Sequence, residues 1–142
     1  RQGVELSVSQ NIHDVHFSGS YTFRHTDIDG GQYDGKDLPN VPRHQLTVGV
    51  QKTFLDRVQL GLDGVYVGKR RYISDFDNNL GHQDDYFNLA GKLAYLLERG
   101  SMYVAVNNLL DEEYEEYGVD YGAAYLYPSP EINFVAGVEV WF

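Results

Sequence analysis

Carboxylates and tyrosines are concentrated in the segment from Leu109 to Pro130. The acidic residues and tyrosines of this segment are Asp111, Glu112, Glu113, Glu115, Glu116 and Asp120, interleaved with Tyr114, Tyr117, Tyr121, Tyr125 and Tyr127. Carboxylate and phenol oxygens can contact a cationic ligand or a metal chelate, so Tyr114, Tyr117 and Tyr121 are candidate ligand contacts. The favoured alternative is a solvated acidic loop with an aromatic belt, in which Asp111 and Tyr114 fix the top of a hairpin.

Two further segments carry aspartates at alternate positions, Asp27-Ile-Asp29-Gly30 and Asp75-Phe-Asp77-Asn78-Asn79. Hard cations such as calcium prefer oxygen clusters of this kind, so Asp27, Asp29, Asp75 and Asp77 are weak calcium candidates. Asp29 and Asp77 are also candidate ligand contacts. Neither segment has the full spacing of a calcium loop with its closing Glu, and Asp side chains that cap backbone groups in turns are the favoured explanation of the pattern. No other cofactor is predicted.

The remaining reactive residues do not indicate an enzyme. The five histidines, His13, His16, His25, His44 and His82, show no paired metal-binding spacing, and the sequence contains no cysteine. Neither a GxSxG motif nor a phosphate-binding loop is present. The short basic run Lys69-Arg70-Arg71 has two interpretations, contact with lipopolysaccharide phosphate or a loop-anchoring ion pair.

Composition excludes several classes of protein. The 142 residues carry a formal charge of −10 (11 basic, 21 acidic), which argues against a nucleic-acid partner because phosphate binding needs clustered Lys and Arg. The length favours one domain. An apolar content of 42% excludes a disordered tail, and no window approaches the ~18 consecutive apolar residues of a membrane-spanning helix. Twelve tyrosines, seven phenylalanines and fifteen glycines favour an all-β protein.

Alternation of apolar and polar residues predicts seven strands. Their expected bounds are Gly3–Gln10, Asp14–His25, Val41–Phe54, Arg57–Arg71, Asp85–Leu97, Ser101–Asn108 and Glu131–Phe142. One face of every strand is apolar, and among its positions only Lys52 is charged. The other face is rich in Ser, Thr, Gln and small residues. Within the strands, Gly64, Gly91 and Gly137 indicate bends or close packing.

The connections between these strands alternate in length. Short connections are expected at Asn11–His13, Leu55–Asp56 and Glu98–Gly100, and long ones at Thr26–Asn40, Tyr72–Asp84 and Leu109–Pro130. Short turns at one end of a sheet and long loops at the other are typical of an outer-membrane barrel.

Three architectures fit this pattern. A soluble β-sandwich binding module would pack its apolar faces together. Three features favour a transmembrane barrel: strand lengths sufficient to cross a bilayer, a polar face suited to a wet lumen, and aromatic residues near strand ends. The aromatic residues concerned are Tyr21, Phe23, Phe54, Tyr66, Tyr72, Tyr86, Phe87, Tyr95, Phe134, Trp141 and Phe142. A small closed barrel that serves as an adhesin or structural protein would need an eighth strand, because bacterial barrels have even strand numbers.

Several segments resemble TonB-dependent outer-membrane receptors. Tyr66–Asp75 resembles a strand and loop start of that family, and Tyr103–Tyr114 resembles its Asn-Leu-Phe-Asp motif, with Asn108, Leu109, Asp111 and Tyr114 at matching positions and Leu110 where Phe is usual. Tyr127–Phe134 resembles the approach to the last strand, although Glu131 and Ile132 depart from the usual Gly-Arg. The final strand, ending in Phe142, also matches.

The resemblance implies an all-β fold in which residues 1–142 are the C-terminal portion of a 22-stranded transmembrane barrel, with the plug domain outside this chain. It also implies import of a scarce ligand of the ferric siderophore, haem or cobalamin class. The implied partners are outer-membrane lipid and lipopolysaccharide, the remainder of the receptor, and a TonB-type coupling protein that acts through the missing part. Arg24, Gln45, Asp63 and Lys92 would then face the plug.

Overall fold

The computed structural model describes residues 1–122 and 124–142, and within them the chain is almost entirely β-structure. The strands are β1 (Gln2–Ile12), β2 (Val15–His25), β3 (His44–Phe54), β4 (Val58–Val67), β5 (Arg70–Arg71), β6 (His82–Gln83), β7 (Tyr86–Leu97), β8 (Gly100–Asn107), β9 (Glu115–Asp120), β10 (Ala124–Pro128) and β11 (Asn133–Val140). A single 3-10 turn, Gly31–Tyr33, is the only helical element of the described residues. None of the described residues lies in a helix long and apolar enough to cross a membrane.

Seven long strands form one antiparallel sheet in the order β1-β2-β3-β4-β7-β8-β11. Each strand pairs with the next long strand along the chain, as in Val8↔Gly19 and Val50↔Leu62. Strands β1 and β11 are the two edges and do not pair with each other, so the sheet is open. The seven-stranded antiparallel sheet predicted from the sequence is confirmed.

Exposure of the apolar face excludes the soluble sandwich. Leu60, Val104 and Val138 retain 42%, 49% and 66% of their accessible surface, although a sandwich would bury all three. Among the described residues the buried apolar side chains are Val67 and Ala94 in the sheet and Pro39 outside it. The sheet therefore has no protein core of its own, and its apolar face is available to lipid.

Several strand bounds differ from those predicted. The expected strand Arg57–Arg71 is wrong at its end: β4 stops at Val67, and Arg70–Arg71 pairs with His82–Gln83 in a separate ribbon. The strand ends there because the Gly68 amide makes the last bond to the His44 carbonyl, at 2.9 Å, before the chain leaves the sheet.

The other bounds shift by one to three residues. The strand predicted from Asp14 begins one residue later because Asp14 has φ 65° in a tight turn. The strand predicted from Val41 begins at His44, and the last strand is Asn133–Val140 instead of Glu131–Phe142. The remaining three strands begin or end within two residues of their predicted limits.

The predicted close packing at the strand glycines is confirmed. A Cβ atom at Gly64 would lie 2.7 Å from the Phe87 ring, and one at Gly137 would lie 2.6 Å from the Tyr103 ring. Neighbouring aromatic side chains therefore lie across the sheet surface where the glycines leave room.

Candidate ligand-binding loops

Three long segments emerge from the same end of the sheet. They are called here the first long loop (residues 26–43), the second long loop (residues 68–85) and the third long loop (residues 108–132). The opposite end carries only tight connections, such as the two-residue turn His13–Asp14, in which both residues have positive φ. The long loops carry every candidate ligand or metal contact predicted from the sequence.

The second and third long loops are joined by Arg70. Its guanidinium donates hydrogen bonds to the carbonyls of Glu115 and Glu116, the latter at 3.0 Å, and to the Asp84 carbonyl at 3.3 Å. The cation also lies 5.4 Å from the centre of the Tyr86 ring. Arg70 is only 4% exposed, so these bonds are shielded from water.

The first and second long loops are joined around Asp37. Its carboxylate accepts from Arg43 at 2.8 Å and from Arg71 at 3.3 Å. Burial alone would raise the pKa of the Asp37 carboxyl, but Arg43 and then Arg71 outweigh it and hold that pKa below its ordinary value. The Asn78 side chain adds two bonds to the Asp37 backbone, accepting from its amide at 2.6 Å and donating to its carbonyl at 3.1 Å.

Asp75 organises the second long loop internally. One of its carboxylate oxygens accepts from the amides of Asn79, at 2.8 Å, and Leu80, at 3.2 Å, and the other accepts from Arg71 at 3.3 Å. This is the backbone-capping alternative considered for the aspartate pattern. The described residues contain no group of three or more His, Asp or Glu side chains that could hold a metal ion. Calcium at Asp27, Asp29, Asp75 or Asp77 stays a prediction.

Asn108 is the fully buried centre of the third long loop. Its amide group donates to the carbonyls of Glu112 (3.0 Å) and Pro130 (3.2 Å), and its side-chain oxygen accepts from the Glu112 amide at 3.0 Å. The Asp111 carboxylate likewise accepts a hydrogen bond from the Ile132 amide, at 3.0 Å. Asn108 and Asp111 both have positive φ, 52° and 51°. The motif residues therefore tie the start of the loop to its end, where it meets the sheet.

Tyr114 lies at the base of this loop and is half-buried. Its ring stacks on Tyr86 with centroids 3.9 Å apart, and its hydroxyl accepts from the Asn88 side chain at 2.8 Å. Tyr86 was expected in an aromatic girdle, but it contacts the loop on the polar side of the sheet instead. The signal was available in the sequence, since Tyr86 is one position out of phase with the lipid-facing Phe87. Tyr114 fixes the hairpin, which is the role favoured for it and Asp111.

Strands β9 and β10 form a separate hairpin, in a region predicted to be irregular. One face carries stacked Tyr117 and Tyr127, with ring centroids 4.3 Å apart, and exposed Tyr125. The other face packs on the second long loop, since a Cβ atom at Gly118 would lie 2.8 Å from the Tyr72 ring. The Ile73 amide also donates to the Gly118 carbonyl at 2.9 Å. The hairpin therefore presents one aromatic face outward while the rest of the loop system holds the other. This hairpin is called the aromatic hairpin below.

The predicted ligand contacts fall in three places. Tyr117 and the 79% exposed Tyr121 belong to the aromatic hairpin, whereas Tyr114 lies at its base. Asp77 is exposed in the second long loop beside Asn78, and Asp29 is exposed in the first long loop. These five residues do not form one cluster of contacts. Of the two roles predicted for the basic run Lys69-Arg70-Arg71, the structure shows the loop-anchoring role for Arg70 and Arg71.

The concave space between the first two loops has a volume of about 540 Å³. Polar side chains on its wall include Asp37, Arg43, His44, Tyr66 and Asp85. Tyr66 donates to Asp85 at 3.0 Å, and Tyr21 and His44 are within hydrogen-bond distance at 2.7 Å. Most of these groups are already engaged with one another, so the wall is preorganised.

Comparison with known proteins identifies a family whose members contain such a sheet. Residues 1–109 match the family model described as "TonB dependent receptor-like, beta-barrel". No curated protein sequence matches the chain. Thirty-one solved chains match its fold.

Three of these solved structures illustrate the similarity. The ferric yersiniabactin uptake receptor FyuA from Yersinia pestis is 25% identical over 97% of this chain, with a TM-score of 0.83. The ferric-catecholate import receptor Fiu from E. coli K12 is 22% identical over 99% of this chain, with a TM-score of 0.78. The siderophore receptor PiuA from Acinetobacter baumannii is 22% identical over 97%, with a TM-score of 0.76. The chain spans about a fifth of the length of these proteins, 23%, 20% and 21% respectively.

Proposed function

Because this chain belongs to the TonB-dependent receptor family, as a portion of its β-barrel, we propose that it forms the C-terminal part of a receptor that imports a ferric siderophore. Barrels of this family lie in the bacterial outer membrane, and this chain is an outer-membrane β-barrel protein. The import of a ligand belongs to the whole receptor, of which these residues are a part. The proposed role is binding and passage, without a catalytic step.

One observation carries the proposal: the sheet has an exposed apolar face, a polar face and three long loops at one end, and it matches the receptor FyuA over 97% of its length. A seven-stranded open sheet cannot stand alone in lipid, because its edge strands would leave unpaired backbone groups. The remaining strands of the receptor would complete it. A small closed adhesin barrel is disfavoured, because β1 and β11 do not pair with each other.

The choice of ferric siderophore as the ligand class is supported by the ligands for which the structural neighbours are named. Fiu, FyuA and PiuA are named for ferric-catecholate, ferric yersiniabactin and siderophore uptake. In this chain the exposed rings of Tyr117 and Tyr121 on the aromatic hairpin are the best-placed candidates for ligand contact, with Tyr114 supporting them from below. Asp77 and Asp29 are proposed to border the entrance from the other two loops.

The polar face is proposed to line the lumen and contact the plug. Arg24 donates to Gln45 at 3.1 Å across β2 and β3, and the Lys92 ammonium lies 4.3 Å from the centre of the Tyr103 ring. Asp63 lies on the same face beside Gly49. The plug, a TonB-type coupling protein reached through it, outer-membrane lipid and lipopolysaccharide are the proposed partners.

The test is uptake by the full receptor in cells that lack their own siderophore receptors, with and without TonB. The ligands offered are iron-55 complexes of a catecholate, yersiniabactin and citrate, together with labelled haem and cobalamin. TonB-dependent accumulation of an iron-55 siderophore is the expected result. Import of haem or cobalamin alone, or uptake that is equal without TonB, would overturn the proposal.

A further inference from the structure

Three consecutive basic residues in the second long loop have three different environments. Lys69 is exposed, and its recorded partner is Asp84 at 3.5 Å, itself an exposed side chain. Arg70 is almost fully buried against the third long loop, whereas Arg71 is 17% exposed and turned toward the first. A surface binding site for an anion would expose all three charges, so this distribution indicates another role.

Arg70 connects two parts of the chain that are 45 residues apart in sequence. Its planar guanidinium donates hydrogen bonds to the Asp84 carbonyl in its own loop and to the Glu115 and Glu116 carbonyls at the start of β9. A guanidinium presents five donors in a fixed fork, so one side chain can bond both segments at once. The aromatic hairpin begins at these two glutamates, so Arg70 holds its start, while the Ile73 amide bond to the Gly118 carbonyl holds β9 further along.

Arg71 acts in the opposite direction. Its side chain donates to Asp37 of the first long loop and to Asp75 of its own loop, both at 3.3 Å. Its backbone carbonyl accepts from the Asn40 amide at 3.2 Å. The first long loop is therefore attached to the second through Arg71, together with the two Asn78 bonds to the Asp37 backbone, and Arg71 lies directly beside the residue that holds the third.

We propose that Arg70 and Arg71 are positioning residues that join the three long loops into one unit, with Arg70 holding the aromatic hairpin and Arg71 holding the first long loop. A displacement of either outer loop is then transmitted through two adjacent residues of the second loop to the other. The meaning of this for ligand capture rests on the proposed function, because the hairpin carries Tyr117 and Tyr121. The mechanical link itself requires no ligand.

Hydrogen–deuterium exchange of the full receptor in detergent, read by mass spectrometry, tests the link. Arg70→Ala is expected to raise exchange of peptides within residues 114–122 by at least about tenfold, because hydrogen bonds from a charged donor are lost there, and to leave residues 26–40 unchanged. Arg71→Ala is expected to do the reverse. Lys69→Ala is the matched control: it removes the same charge one residue away and is expected to leave both loops unchanged.

Two results would overturn the proposal. One is equal exchange in wild type and both arginine variants, and the other is a uniform rise in all loops and in the strands of the sheet, which would indicate general destabilisation. If the alanine variants do not fold, Arg70→Lys and Asp37→Asn are used in their place. Lysine at position 70 cannot bond both the second and the third long loop, so the aromatic hairpin is still expected to loosen. The neutral amide at position 37 is expected to loosen the first long loop only.

The ligand-free measurement keeps this inference separate from the proposed function. If the wild-type receptor imports none of the iron-55 siderophores, the proposed function fails, but the exchange pattern still decides whether the arginines couple the loops. If siderophore uptake is confirmed and the exchange pattern is absent, the coupling is wrong while the function stands.

Discussion

Replacement of Asn108 is expected to release the third long loop while the sheet stays folded. Asn108→Ala removes three hydrogen bonds, with Glu112 amide, Glu112 carbonyl and Pro130 carbonyl, from a side chain that is 1% exposed. At about 1 kcal/mol of net stabilisation for each bond, the loss is about 3 kcal/mol. Alanine at φ 52° adds about 1 kcal/mol, because it lacks the short polar side chain whose local hydrogen bonds let Asn adopt the left-handed region.

The assay is cleavage of the full receptor by a Glu-specific protease at the bond after Glu112, whose amide and carbonyl are both held by Asn108. When opening is fast relative to cleavage, the rate follows the population of the open loop. A loss of about 4 kcal/mol corresponds to about a thousandfold faster cleavage at 1.36 kcal/mol for each factor of ten.

Two companion variants separate the causes. Asn108→Gly loses the same bonds but tolerates positive φ, so its cleavage is expected to be about fivefold slower than that of Asn108→Ala. Asn107→Ala is the matched control, since this adjacent exposed residue makes a bond to Asn133 at 2.9 Å on the sheet surface, and a change within about fivefold is expected. Equal cleavage rates for the Asn107 and Asn108 variants would refute the argument.

Three further predictions concern the sheet and the first loop. Leu62→Arg places a charge on the lipid-facing side of β4 and is expected to reduce stability by about 2–4 kcal/mol, whereas Asp63→Arg on the polar side is expected to be tolerated. Heat-modifiable gel migration measures the folded fraction, and an equal loss of folded protein in both variants would contradict a lipid-exposed face. Because folding lowers the pKa of Asp37, the stabilisation from its ion pairs is present above the unfolded value of about 3.9 and is lost as the pH falls through the lower folded value. A nitroxide in the first long loop should therefore gain mobility only below about pH 4. The same pH dependence in an Asp37→Asn receptor would be evidence against this role of Asp37. Gly137→Val puts a Cβ 2.6 Å from a tyrosine ring of β8 and is expected to lower the free energy of urea unfolding by about 1–3 kcal/mol, whereas Gly61→Ala, with nothing within 4 Å of its Cβ, is expected to change it little. Similar unfolding midpoints for the two variants would disprove the close packing.

The sequence by itself determined the sheet, because strand alternation is a local property. A pleated strand presents successive side chains to opposite faces, so Leu60, Val104 and Val138 could be assigned to one apolar face without knowledge of their neighbours. The short and long connections followed from the same reading. Residues Asn108 to Asp111 carried the family resemblance, which the match over residues 1–109 bears out at the level of the family.

What only the tertiary structure decided lies in the loops, where no periodicity constrains the chain. The Tyr86–Tyr114 stack, the contact of the aromatic hairpin with Ile73 and the different partners of Arg70 and Arg71 join residues that are far apart in sequence. Such contacts depend on how three loops meet above the sheet, and a single sequence does not encode that meeting in any local pattern. For this reason the sequence could place Arg70 and Arg71 at a strand end, but only the fold could show that each holds a different loop.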